Sequence, residues 1–196
     1  PCVTLVREAL EAKGFEVLVF HATGSGGRAM ESLIDGGFIT GVADITTTEW
    51  CDELVGGVLS AGPHRLEAAA RKGLPQVVSL GALDMVNFGG IETVPEAFKG
   101  RTLYKHNPTV TLMRTTPEEC AQLGKIIAEK LNTTTGPTVL FVPLKGVSMI
   151  DAVGQKLSSF EIAKRFGTSS ELVDYRIKRL GLWREHSGKQ IRLSRD

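Results

Sequence analysis

The 196-residue sequence predicts an α/β fold: a parallel β-sheet with helices on both faces, followed by a small helical appendage. Three observations carry that prediction. Short apolar, β-branched runs alternate along the chain with amphipathic helical segments, and buried parallel strands of this kind need both faces covered. A glycine turn, Gly24-Ser25-Gly26-Gly27, joins the first such run to a helix start, which is the strand–turn–helix connection of a Rossmann-like sheet. The charge balance then reverses near residue 155. Residues 1–155 carry 13 basic and 17 acidic side chains, whereas residues 156–196 carry 10 and 5. The reversal sets the expected boundary between an α/β domain, 1–155, and a basic helical tail, 156–196.

The elements follow in order. Val3, Val6 and Leu10 recur at helical spacing over residues 2–13, and Gly14 stops that helix. A chain that opens on a helix with no strand before it is expected to be a piece of something longer. Phe15 to Phe20 reads as the first strand. After the glycine turn a helix runs over 27–35, with Met30, Leu33 and Ile34 inward. Gly41 to Thr46 reads as the second strand, Trp50 to Leu59 as a helix, Ser60 to Pro63 as a turn, and His64 to Arg71 as a short helix. Pro75 to Leu80 is the third strand. Residues 81–100 are glycine-rich and lack a clear period, so they read as a long loop. Arg101 to His106 reads as a further strand. A Thr cap, Pro117 in the first turn and Glu118-Glu119 start a helix that runs to about Leu131. Thr138 to Val142 closes the series as an apolar strand. Val17–Phe20, Val42–Ile45, Val77–Leu80 and Val139–Val142 are therefore expected to be neighbouring parallel strands.

Composition narrows the class. With 42% hydrophobic and 23% charged residues the chain is of ordinary globular type. Cys2, Cys51 and Cys120 are sparse, odd in number and far apart, which argues against a disulfide framework and for a reducing, cytoplasmic compartment. No apolar run reaches the length of a membrane span, and no signal peptide is visible. Neither H-E-x-x-H nor a Cys/His cluster occurs, so no metal site is expected. G-x-x-x-x-G-K-[ST] and G-x-S-x-G are also absent, which argues against a P-loop and an α/β-hydrolase elbow.

Chemistry is expected where parallel strands end, because their C-termini share one edge. Glycine there lets the backbone approach an anion at a helix N-terminus. Thr23, Gly24, Ser25, Gly26, Gly27 and Arg28 form the turn and the first helical residues. Asp44 stands about 20 residues on, where a dinucleotide fingerprint carries its acid, although the spacing Gly24-x-Gly26-Gly27 departs from the full motif. Thr46, Thr47, Gly62, Asp84, Asn87, Lys145 and Gly146 complete the candidate ligand-binding set. Asp44, Asp84 and Asn87 also suit plain turn chemistry. His21 and His106 have the residue type for acid–base work.

Several consecutive motifs carry a resemblance. Phe20-His-Ala-Thr-Gly-Ser-Gly-Gly-Arg-Ala-Met-Glu31, Asp44-Ile-Thr-Thr-Thr-Glu49, Ser60-Ala-Gly-Pro63, Leu83-Asp-Met-Val-Asn-Phe-Gly89 and Val142-Pro-Leu-Lys-Gly-Val-Ser148 resemble a family of bacterial, fungal and plant proteins whose plant members include the tomato mosaic virus resistance protein. The resemblance covers roughly residues 1–155. It implies two consecutive Rossmann-like subdomains with ATP-binding capacity, of which this chain looks like the second. It implies no assignable reaction, and it leaves a companion subdomain outside the chain.

The tail departs from that family. Ser159 to Gly167 and Thr168 to Gly181 read as two short helices, with Ile162, Ala163, Phe166, Val173, Ile177 and Leu180 forming one apolar set. Helix, glycine-bearing turn and basic helix is a helix-turn-helix pattern. Residues 157–183 are also similar to the C-terminal helical segment of ImmA/IrrE-type metallopeptidases, without their zinc motif.

The leading expectation is thus a domain that binds ATP, another nucleotide or a similar phosphate-bearing small molecule. It is expected to work as a homo-oligomer or with its companion subdomain, away from membranes. Two alternatives stand beside it: a ligand-sensing regulator with a DNA-binding tail, and a non-catalytic protein-interaction module.

Overall fold

The computed structural model describes residues 2–144, 147 and 148. Three short strands form a parallel sheet: β1 (Val42–Asp44), β2 (Gln76–Ser79) and β6 (Thr138–Phe141), in the order β1-β2-β6. Val42 pairs with Gln76, and Gln76 with Thr138. The expected α/β class therefore holds, with α1 (Cys2–Glu11), α2 (Ser25–Asp35), α3 (Glu49–Val55), α4 (Ala68–Lys72) and α5 (Pro117–Asn132) around the strands in sequence.

Local chemistry explains the best-defined helix. The Thr116 hydroxyl accepts the Glu119 N–H at 3.1 Å, and the Glu119 carboxylate accepts the Thr116 N–H at 2.8 Å. This capping box satisfies two amides that the helix itself cannot. Pro117 costs nothing there, because the first N–H has no intrahelical acceptor. Leu123 and Ile127, one turn apart, are each 1% exposed. They join Trp50, Cys51, Leu66, Val78, Val86, Phe88 and Met113 in the main hydrophobic cluster.

Two expectations are corrected. Phe15 to Phe20 is no strand: it joins neither sheet, and Phe15, Leu18 and Val19 are exposed. An apolar β-branched run reports fitness for a pleated, half-buried surface; it does not supply an edge to pair with. Nor are residues 81–100 a plain loop. They contain β3 (Met85–Phe88) and two 3₁₀ turns, Ile91–Thr93 and Glu96–Phe98. β3 pairs antiparallel with β5 (Val110–Arg114), which pairs antiparallel with β4 (Leu103–Asn107). This second, antiparallel sheet in the order β3-β5-β4 was not expected from the sequence. Val86 and Met113 are fully buried across its β3–β5 seam.

Coverage of the parallel sheet is uneven. Val78 on central β2 is fully buried, whereas Val139, Leu140 and Phe141 on edge strand β6 are about half exposed. Among the described residues, no helix is long and apolar enough to cross a membrane. The boundary at 155/156 and the helix-turn-helix reading of the tail lie outside the described residues, as do Lys145 and Gly146.

Candidate functional site

The C-terminal ends of the three parallel strands meet at one edge. The Thr47 N–H after β1 donates to the Gly81 carbonyl after β2 at 3.1 Å, and the Thr47 hydroxyl donates to the Ser79 carbonyl at 3.0 Å. The Ala82 N–H donates to the Val147 carbonyl beyond β6 at 2.9 Å. The Ser148 hydroxyl donates to Asp84 at 2.7 Å. The loops after β1, β2 and β6 thus converge, and Thr46 sits half-buried beside them.

The glycine turn meets this edge through a residue of the protein itself. Glu49 Oε1 accepts the N–H of Gly24 at 2.7 Å and of Gly27 at 3.1 Å. A carboxylate at a helix N-terminus satisfies orphan donors and complements the helix dipole. Glu49 Oε2 in turn accepts Arg65 Nε at 2.6 Å. The Arg65 guanidinium continues to both oxygens of Asp44 and to Glu31 at 3.3 Å. Glu31 also accepts the Leu66 and Ala68 amides, at 2.7 and 2.8 Å. That grip holds Leu66 at φ 73, a left-handed conformation that a leucine rarely adopts. Burial works against the charge on Arg65, but Asp44 and Glu49 more than offset it and hold its pKa above the usual range.

Each candidate residue now has a place. Thr23 and Ser25 are exposed at the turn, and Gly26 is half-buried. Arg28 is exposed and donates to the Ser60 carbonyl at 2.8 Å. Gly62, at φ 88, donates its N–H to the Ser60 hydroxyl at 2.9 Å, so Arg28 and Gly62 meet through Ser60. Both oxygens of Asp44 are engaged by Arg65 rather than open to a ribose. Asp84 pairs with Arg114 at 2.9 Å. Asn87 donates its N–H and Nδ2 to Asp52 at 2.6 and 2.7 Å. His21 is exposed, and His106 lies on β4 in the other sheet.

Sequence reasoning missed Arg65, Arg114 and Asp52. The one signal for Arg65 is a charged side chain set just before Leu66 and the Ala68-Ala69-Ala70 run. Asp52 is 1% exposed. Burial pushes its carboxyl up to about 6, against the opposing pull of its bonds from Asn87. The folded protein therefore holds this proton more tightly than the unfolded chain. The stability this contributes is full below the ordinary aspartate value of 3.8 and is lost as pH rises through about 6. Glu67 and Glu119 act oppositely. Burial raises both, but Lys130 with His64 outweighs it at Glu67 and Arg101 with the Thr116 N–H at Glu119, so their contribution is lost as pH falls through their lowered values. A carboxyl-carbon NMR titration checks the first statement. The expected midpoint for Asp52 is near 6; a midpoint of about 4, the ordinary value, contradicts it.

Burial, reinforced by Asp52, pushes the Cys51 thiol up, which leaves it inert as a nucleophile. Among the described residues, no group of three His, Cys, Asp or Glu side chains is arranged to hold a metal ion. A hollow of about 220 Å³ lies beside α2, lined in part by Arg28, Glu31, Ala61 and His64. A larger one, about 410 Å³, lies between α4 and α5, away from the strand ends.

Residues 1–171 match the family described as Uncharacterised protein family (UPF0261) C-terminal domain. The chain belongs to this family. It is 65% identical over 173 residues to a UPF0261 protein of Clostridium tetani, covering 88% of this chain and 43% of that protein. It is 59% identical over 154 residues to a UPF0261 protein of Rhizobium meliloti, covering 79% of this chain and 38% of that one. The ToMV resistance protein Tm-1(GCR237) of Solanum lycopersicum is 52% identical over 155 residues, covering 79% of this chain and 21% of that protein. The link read from the sequence motifs therefore holds. The chain spans less than half the length of these relatives.

Proposed function

We propose that this α/β unit binds a phosphate-bearing small molecule of ATP type at the C-terminal edge of its parallel sheet. One observation supports the reading above the others. The loops after β1, β2 and β6 and the N-terminus of α2 come together at a single edge, which is where open α/β sheets take their ligands. Thr23, Ser25, Gly26, Arg28 and Thr46 are the groups assigned to the phosphate. Glu49 holds the turn directly, and Asp44 is tied to it through Arg65. Lys145 and Gly146 remain part of the proposal as residues that follow β6. No reaction is assigned.

The alternative of a non-catalytic protein-interaction module draws no support from the tomato relatives. The one named for resistance and the one named for susceptibility are both 52% identical to this chain over 155 residues.

Calorimetry with ATP on the 196-residue chain tests the reading, with Arg28→Ala as the informative variant. Among the described residues, the Arg28 guanidinium bonds the Ser60 carbonyl alone, so the fold loses little by its removal. Charge-assisted hydrogen bonds are worth about 1.5–3 kcal/mol, so affinity is expected to fall by about tenfold or more at an unchanged melting temperature. No saturable heat with the wild type, or equal affinity in the variant, would overturn it.

A further inference from the structure

The next step rests on the ligand reading just given and concerns two residues that no ligand touches. The Glu49 side chain is 0% exposed and that of Arg65 is 4% exposed. Glu49 spends one oxygen on the Gly24 and Gly27 amides and the other on Arg65 Nε. Arg65 is fixed at its far end by Asp44, through both Nη1 and Nη2. Its own carbonyl accepts Trp50 Nε1 at 3.2 Å. A chain of buried bonds therefore runs from the segment between α3 and α4 to the first turn of α2.

That chain selects among the donors of the turn. The opening amides of a helix have no intrahelical acceptor. Glu49 takes those of Gly24 and Gly27. For the amides of Ser25 and Gly26 no acceptor stands among the described residues. Glycine at 27 is part of the same device, since a Cβ there would lie 2.3 Å from Glu49 Oε2.

We propose that Arg65 is the positioning residue of the glycine turn: acting through Glu49, it draws the Gly24 and Gly27 amides inward and leaves those of Ser25 and Gly26 to meet the phosphate. The planar guanidinium suits the task because it serves Asp44 and Glu49 from different nitrogens at fixed angles. A lysine ammonium is a single point charge without that fork.

Amide hydrogen exchange on ¹⁵N-labelled protein, combined with ATP titration, tests this in the wild type, Glu49→Gln and Arg65→Lys. In the wild type without ligand, the Gly24 and Gly27 amides are expected to exchange about a hundredfold more slowly than those of Ser25 and Gly26. In Glu49→Gln, which keeps shape and one acceptor oxygen, protection at those two glycines is expected to drop by about tenfold, and ATP affinity with it. Arg65→Lys is expected to lose the same two protections while the amides of α5 keep theirs. Equal exchange at all four turn amides in the wild type overturns the proposal whether or not any variant folds. So does unchanged ATP affinity in a folded Glu49→Gln protein. Absence of ATP binding by the wild type overturns the ligand reading instead, and the exchange data then decide the positioning role alone.

Discussion

Replacing Arg65 with alanine is expected to remove at least about 3–5 kcal/mol of stability, the usual cost of breaking a buried ion pair by deleting one partner. Folded domains have only about 5–15 kcal/mol to lose, so the variant should be at or near unfolding at room temperature. The cause is what stays behind. Asp44 and Glu49, 5% and 0% exposed, and Glu31, 15% exposed, all point at the vacated position. Arg65→Met should do little better, because it fills the space and leaves the carboxylates unmatched. Urea unfolding measures the effect. A midpoint equal to that of the wild type would mean that this ion cluster does not hold the folded protein together.

Gly26→Val is expected to disrupt the turn itself. A Cβ at position 26 would stand 1.8 Å from the His21 carbonyl oxygen and 2.8 Å from its carbon. The neighbour is backbone, so no side chain can swing aside, and the segment at His21 and α2 must separate. The cost belongs with the larger single-substitution effects, roughly 3 kcal/mol or more. From sequence alone, glycine here is explained by the approach of a ligand, and the valine variant is expected to lose binding in an intact fold. The structure gives a different reason for the glycine: the main chain of His21 lies where a side chain at position 26 would project. A melting temperature unchanged from the wild type would contradict this account of the turn.

The parts legible in the sequence are those fixed by neighbours along the chain. Thr116, Pro117 and Glu119 cap α5 within four consecutive residues, and the apolar runs at Val42, Val77 and Val139 became the three parallel strands. What was not legible depends on partners far away. Met85–Phe88 forms a strand because β5 lies beside it, although its own stretch is short, followed by two glycines and interrupted by Asn87. Phe15–Phe20 has the better strand pattern and pairs in neither sheet. The site divides the same way. Asp44, Thr47 and Asp84 are recognisable as loop residues at strand ends. Their contacts with Arg65, Ser79 and Arg114, however, cross 21, 32 and 30 positions. No local spacing encodes those pairings, and Arg65 carries no motif that marks it as the centre of three carboxylates.

The central claim is that the strand-end edge, and not another surface, takes a phosphate-bearing ligand. Amide chemical-shift mapping during an ATP titration tests it most directly, because it locates binding without altering a residue. The account predicts saturable shifts at Ser25, Gly26, Arg28 and Thr46, with Ile126 and Thr133 in the larger hollow between α4 and α5 unmoved. Shifts confined to that hollow, or none at the glycine turn at saturating ATP, would contradict it.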